Sequence, residues 1–267
     1  MSIRPWIWYD TEKEECSVIT GIQVSSFKPV LTTETEVEYA FIRMQEMGCT
    51  TVQLQWISPA VSIDFVGSMC EKYRIRSVSV QDFYQTVLEN RDYYYRLNAV
   101  TGGTWICVSR IPERLKTREG LDRYIAELRE MSRELNSIGQ KLCFHPVSAD
   151  FAPFDGVEQP VEYLLAHMPE LPVCFDLYHL HKTGRNMMEY LRRYAGRAVM
   201  VHFKDYRPNP DGTEALVPAG QGVIDWTGVV ETCEETGVTY GFVEQERWEG
   251  DPFVRLKEAF DWLNGQM

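Results

Sequence analysis

The sequence predicts an α/β protein built as one closed (β/α)8 barrel, the TIM-barrel architecture, and three observations carry that prediction. Eight short, mostly apolar runs (19–25, 51–55, 77–80, 105–109, 141–145, 173–176, 198–202 and 240–244) alternate with longer segments of helical period. Such runs are what parallel strands need when helices cover the sheet from outside. The length of 267 residues suits eight strand-helix units, since the architecture typically takes about 250 residues. Finally, no G-x-G-x-x-G follows the first run, which removes the main support for an open doubly wound sheet.

In chain order, residues 1–16 precede the first run and are expected to be an N-terminal extension packed on or near the barrel. After the first run, Thr33 is placed to cap a helix carrying Val37, Phe41 and Met44 on one face, and Gly48 stops it. The second and third runs follow. The fourth leads to a helix whose apolar stripe is Leu121, Ile125, Leu128, Met131 and Leu135, ended by Gly139. The stretches 101–103, 148–159 and 207–222 read only as loops. No linker or low-complexity block interrupts the pattern, so 1–267 is expected to form a single domain.

Composition narrows the function. With 27 Lys plus Arg against 39 Asp plus Glu, the formal charge is −12, the wrong sign for phosphate-backbone neutralisation, so no nucleic acid partner is expected. The basic residues occur only in short clusters such as Arg192, Arg193 and Arg197. No apolar stretch reaches the ~20 residues of a membrane span. The start of the chain interleaves Trp6 and Trp8 with charge rather than following a signal-peptide pattern. These features predict a cytoplasmic protein with no membrane partner. The seven cysteines are scattered and never spaced C-x-x-C, which predicts buried free thiols rather than a disulfide framework or a cysteine zinc site.

The last four runs end L-C-F-His145, V-C-F-Asp176, V-M-V-His202 and G-F-V-Glu244. In a parallel barrel the carboxyl ends of the strands converge on one face, where active sites of this architecture lie. Two imidazoles and two carboxylates suit one divalent ion of the Mn, Co, Zn, Fe or Mg kind, acting as a Lewis acid. Of the five histidines, His179 and His181 share the loop after Asp176, and His167 alone falls in a helical stretch, where it is expected at the surface.

Further motifs carry a resemblance. The runs F-D-L-Y-H-L-H-K-T-G (175–184), V-H-F-K-D-Y (201–206), G-Q-G-V-I-D-W (220–226) and F-V-E-Q-E (242–246) resemble the xylose isomerase-like TIM-barrel family of sugar isomerases and epimerases, and M-Q-E-M-G (44–48) with T-V-Q-L (51–54) fits its opening unit. The resemblance implies that Asp176, His202 and Glu244 bind a metal, that His145 supplies the fourth ligand, that His179 touches substrate or supports the site, and that Lys204, Asp205 and Glu246 surround it. At the end of the fifth run relatives often carry Glu. His145 there, followed by Pro146 and Val147, departs from a symmetric two-glutamate epimerase. Gln81 and Asp82 stand where many relatives present histidine. The family's endonuclease branch depends on many histidines and a DNA-binding surface, which five histidines and the acidic balance argue against.

The expected activity is therefore a metal-dependent isomerase or epimerase of a sugar or sugar derivative, through a metal-stabilised enediolate. Glu244 is the candidate base, His145, His179 or Lys204 the group returning the proton. Trp56 and Trp226 are candidate walls for the sugar, and Arg110 and Glu246 candidate polar contacts. The same enediolate can expel a β-hydroxyl, so a dehydratase or lyase is the alternative, as is a non-catalytic sugar-binding barrel. Whether the chain works alone or as a homo-oligomer is open.

Overall fold

The strands, in a computed structural model that describes residues 17–267, are β1 (Ile19–Gln23), β2 (Thr51–Leu54), β3 (Arg76–Phe83), β4 (Trp105–Ser109), β5 (Lys141–His145), β6 (Val173–Asp176), β7 (Ala198–Phe203), β8 (Asp205–Pro208), β9 (Glu214–Val217) and β10 (Tyr240–Val243). The expected N-terminal extension, with Trp6, Trp8 and Cys16, lies outside the described residues. Eight strands close a barrel in the order β1-β10-β7-β6-β5-β4-β3-β2, and β8 with β9 forms a separate two-stranded sheet. Every barrel pairing is parallel.

Helices cover the barrel: α1 (Glu34–Glu46), α2 (Ile63–Tyr73), α3 (Tyr84–Glu89), α4 (Arg91–Val100), α5 (Arg118–Ser137), α6 (Pro160–His167), α7 (Leu177–Lys182), α8 (Met187–Arg193), α9 (Val229–Glu235) and α10 (Pro252–Asn264). Thr33 caps α1 through a capping box with Glu36, the arrangement that satisfies two otherwise orphaned groups at a helix start. The stripe Leu121, Ile125, Leu128, Met131 and Leu135 is buried along α5. Among the described residues no helix is long and apolar enough to cross a membrane.

The main core lies between helices and strands, while Val78, Cys107, Cys143, Cys174, Met200, Tyr240 and Phe242 form a second buried group. Cys143, Cys174, Met200 and Phe242 each stand two residues before His145, Asp176, His202 and Glu244. A strand's period of two therefore places them on the barrel's inner face, beneath those four residues. Phe242 needs a glycine opposite: a Cβ on Gly21 would meet its ring at 2.7 Å. The six described cysteines are free and buried.

Three departures from the sequence expectation matter. β3 runs on to Phe83, so Gln81 and Asp82 lie within the strand; they bond to Gln55 and to Tyr94 respectively. The first run stops at Gln23 and passes into a tight helical turn over Val24–Val30. The stretch 207–222 holds most of an antiparallel hairpin, with Asp205 opposite Val217. Arg197 is a structural residue, donating to the carbonyls of Leu165, Met168 and Leu171.

Candidate active site

The four strand-ending residues gather where expected. His145 and Asp176 close β5 and β6, His202 is the penultimate residue of β7, and Glu244 follows β10. Asp176 and His202 are register partners. One Asp176 oxygen caps α7, accepting the His179 N–H at 3.0 Å. The other, buried, has no aligned hydrogen bond although the Lys204 ammonium lies 3.0 Å away. Capping and site roles thus fall on different atoms of one carboxylate.

Asp176, His202 and Glu244 each offer a ligand atom within 4.8 Å of the others. His202 Nδ1 is 3.1 Å from Glu244 Oε2 and 3.2 Å from His145 Nε2. His145 groups most tightly with His202 and Cys174 rather than with both carboxylates. The mixed N/O donors and the orphaned Asp176 oxygen fit a divalent ion.

Lys204, buried, spans three carboxylates: Asp176 at 3.0 Å, Glu244 at 3.1 Å and Glu246 at 2.9 Å. Burial disfavours its charge, but these neighbours outweigh burial and hold its pKa well above the usual lysine value. Burial likewise pushes the Asp176 carboxyl up, yet Lys204 and His179 bring it down to about 2. Glu244 is raised by burial and lowered further by Lys204 and His202, ending well below the carboxylate range. Its other oxygen accepts from Ser25 Oγ at 2.6 Å. Glu246, at the edge, keeps a pKa raised by burial. Burial lowers His145 to about 3, with His202 beside it adding to the effect, and lowers His179. His202 is raised, because Glu244 overcomes burial.

Across the barrel mouth the rim has another character. Trp56 and Arg110, following β2 and β4, both have positive φ, 60° and 66°, a conformation non-glycine residues adopt only when their surroundings impose it. The Lys28 ammonium sits 4.2 Å from the Trp56 ring, and the Arg110 guanidinium 4.7 Å from the Phe83 ring. Arg110 is exposed and makes no ion pair among the described residues.

Two expectations need correcting. Trp226 is no wall of the mouth: its indole N–H donates to Asp205, and its ring packs against Phe203 and Trp262 on the barrel's outer side. Asp205 does not join the cluster either. Wholly buried, it accepts from the backbone N–H groups of Tyr206, Gly220, Gly222 and Ile224 and from Trp226 Nε1, and so organises the 205–226 loop. A Cβ on Gly222 would stand 2.0 Å from Asp205 Oδ1, which explains the second glycine of G-Q-G. His181 faces the Tyr206 hydroxyl, and His167 is exposed as expected. Sequence reasoning missed Gln23, Ser25 and Gln53, which support the cluster. Their signal was polar residues at inward positions of otherwise apolar runs.

Comparison with known proteins gives a consistent picture. A family model described as xylose isomerase-like TIM barrel matches residues 35–266. The L-ribulose-5-phosphate 3-epimerase UlaE of Salmonella typhi is 28% identical over 125 residues, 44% of this chain and 42% of that enzyme. The match thus spans about two fifths of the length of that curated relative. Among solved structures, a sugar phosphate isomerase/epimerase from Parabacteroides distasonis ATCC 8503 superposes with a TM-score of 0.74 at 12% identity, covering 95% of each chain. A probable 3-DHS dehydratase, AsbF, from Bacillus anthracis gives 0.70 at 12% identity, covering 92% of this chain and 98% of its own. At these identities the two structures attest the fold.

Proposed function

Because the chain belongs to the xylose isomerase-like TIM-barrel family, we propose that it is a single-domain, metal-dependent isomerase or epimerase of a sugar or sugar phosphate. The observation that carries this reading is the buried Asp176, His202 and Glu244 cluster at the carboxyl ends of the strands. These three, with His145, would hold one divalent ion. When bound, that ion supplies Lewis acidity to a carbonyl and to the enediolate left by deprotonation of the neighbouring carbon.

The chain's own residues divide the remaining work. Glu244, fixed by Ser25 and Lys204 at the heart of the cluster, is the candidate base by position. His179, neutral through burial and partly open to the mouth, is suited to exchange a proton on the other side. Lys204 is held too firmly charged to return a proton and instead balances the carboxylates. Glu246, paired with Lys204 at 2.9 Å and partly exposed, is a candidate polar contact for the substrate. Trp56 offers an apolar wall, and Arg110, exposed on the far rim, a partner for an anionic group of the sugar. The six free thiols among the described residues support a reducing, cytoplasmic location.

Incubation of the metal-loaded protein with L-ribulose 5-phosphate and with free ketoses in heavy water tests the activity. Deuterium at the carbon next to the carbonyl, with a rearranged sugar, supports it. Loss of water without rearrangement converts the assignment to a dehydratase. Sugar binding with neither exchange nor turnover leaves a non-catalytic barrel.

A further inference from the structure

In the closed barrel β2 and β3 stand opposite β6 and β7, so their carboxyl ends face the cluster across the mouth. Val52, Leu54 and Val80 pack into the main core between strands and helices, and Asp82 accepts from Tyr94 of α4 at 2.6 Å. The period of two along a strand therefore turns Gln53, Ser79 and Gln81 inward. In the lower layer the amides are fully used: the Ser25 N–H donates to Gln23 Oε1, Gln23 Nε2 to Gln53 Oε1, and Gln53 Nε2 to Ser79 Oγ, while Gln53 Oε1 also lies 2.6 Å from His202 Nε2. Nearer the mouth they are not. Gln55, just past β2, accepts from Gln81 Nε2 at 3.2 Å. The two residues are 5% and 3% exposed, yet Gln81 Oε1 has no partner among the described residues, and the Gln55 side chain makes no bond there besides the one to Gln81.

Two amides joined head to tail leave one acceptor and one donor over. This holds whichever way the pair is turned, because reversing both amides only exchanges the two ends. A hydroxyl answers that pattern, donating to the free oxygen and accepting from the free amide nitrogen; a carbonyl or a phosphate dianion can only accept, and an ammonium can only donate. Trp56 follows Gln55 directly, and Phe83 lies two residues beyond Gln81 on the same strand face, with the two rings 6.3 Å apart. We propose that the Gln55–Gln81 pair is a specificity-determining subsite that reads one hydroxyl of the sugar while Trp56 and Phe83 cover an apolar face of its carbon chain. The proposal rests on the carbohydrate reading above for its ligand and needs no metal for its geometry. A site that leaves buried polar atoms unmatched when the hydroxyl is missing discriminates strongly against the deoxy analogue.

Titration calorimetry with L-ribulose 5-phosphate and its 1-, 3- and 4-deoxy analogues tests the subsite, on manganese-loaded and on chelator-treated protein. In the wild type one analogue should bind about 5–150-fold more weakly than the parent sugar, the fold-change that corresponds to an unmatched buried polar group. The double variant Gln55→Met, Gln81→Met replaces both amides by apolar side chains of similar size. It should bind the parent and that one analogue within about threefold of each other, the range left once a typical hydrogen bond is removed from both, and should keep any discrimination shown against the other two. Its urea midpoint should not fall, since removing both members of a buried polar pair is close to neutral. A wild type that binds none of the four sugars or prefers the parent over none of the analogues, a double variant that discriminates as before, or one whose midpoint drops while every sugar weakens equally, overturns the proposal. If the double variant does not fold, Gln55→Met alone, which removes one of the two free groups, must show the reduced discrimination. Deuterium exchange into the parent sugar separates the two readings. Exchange with no hydroxyl coupled to the pair strikes the subsite and leaves the isomerase; coupling in both metal states with no exchange leaves the subsite and strikes the isomerase.

Discussion

Replacing Lys204 by methionine keeps the length of the side chain and removes its charge from between Asp176, Glu244 and Glu246. With all three contacts at 2.9–3.1 Å and the ammonium buried, the loss leaves buried carboxylates without a counter-charge, which should destabilise the metal-free protein by about 3–5 kcal/mol near neutral pH. The pH dependence is the sharper prediction. In the wild type, Asp176 falls from 3.8 to about 2 on folding. It therefore contributes roughly 2–3 kcal/mol, present above its unfolded pKa and lost as pH falls through 2. In Lys204→Met burial is unopposed by the ammonium, so the folded carboxyls should rise above their unfolded values. Their contribution then reverses sign: it favours folding in acid and is lost as pH rises through the new folded values. The difference in unfolding free energy between the two proteins, measured in urea, should be largest at about pH 8 and shrink by more than half toward pH 5, where protonation relieves the buried charge. A difference that stays constant over this range, or one below ~1 kcal/mol throughout, would show that Lys204 does not compensate the cluster.

Asp176→Ala and His202→Ala should each lose zinc or manganese affinity by at least about 100-fold while circular dichroism stays native-like, because both project from strand ends; retained affinity in calorimetry would remove them from the ligand set. Asp205→Ala strips the acceptor from five N–H groups and should lower stability by about 2–4 kcal/mol in urea titrations, with metal affinity unchanged. Gly222→Ala should act in the same direction, as its Cβ cannot coexist with Asp205 as placed. His145→Glu should raise the rate of deuterium exchange into substrate if the histidine is what specialises the chemistry, and an unchanged rate would show that it is not.

The barrel was readable from the chain because its strands are buried on both faces and so announce themselves as apolar runs, from Ile106 and Val108 to Phe242 and Val243. The hairpin was not. β8 and β9 are short and only partly covered, Pro208 ends one of them, and their loop is shaped by N–H groups converging on Asp205 from 15 to 21 residues away. No periodicity encodes that kind of contact. The same distinction runs through the site. His145, Asp176, His202 and Glu244 were legible because strand termini of a parallel barrel must converge, whereas the places of Lys204 and Trp226 depend on how the backbone turns after a strand ends. Lys204 turned inward to three carboxylates, and Trp226 turned outward to Phe203.

β1 contributes no ligand, yet the cluster depends on it. Ser25, two residues beyond its end, donates its hydroxyl proton to Glu244 and its backbone N–H to the amide chain that reaches His202. Residues 25 and 244 are 219 positions apart. They meet because β1 pairs with β10, the contact that closes the barrel. An open sheet of the same strands would leave β1 and β10 at opposite edges, with the Glu244 oxygen and the His202 ring free to turn. Closure therefore does more than bury apolar strands: it brings the first strand's polar groups under the last strand's carboxylate, and through Gln53 of β2 under the imidazole of β7.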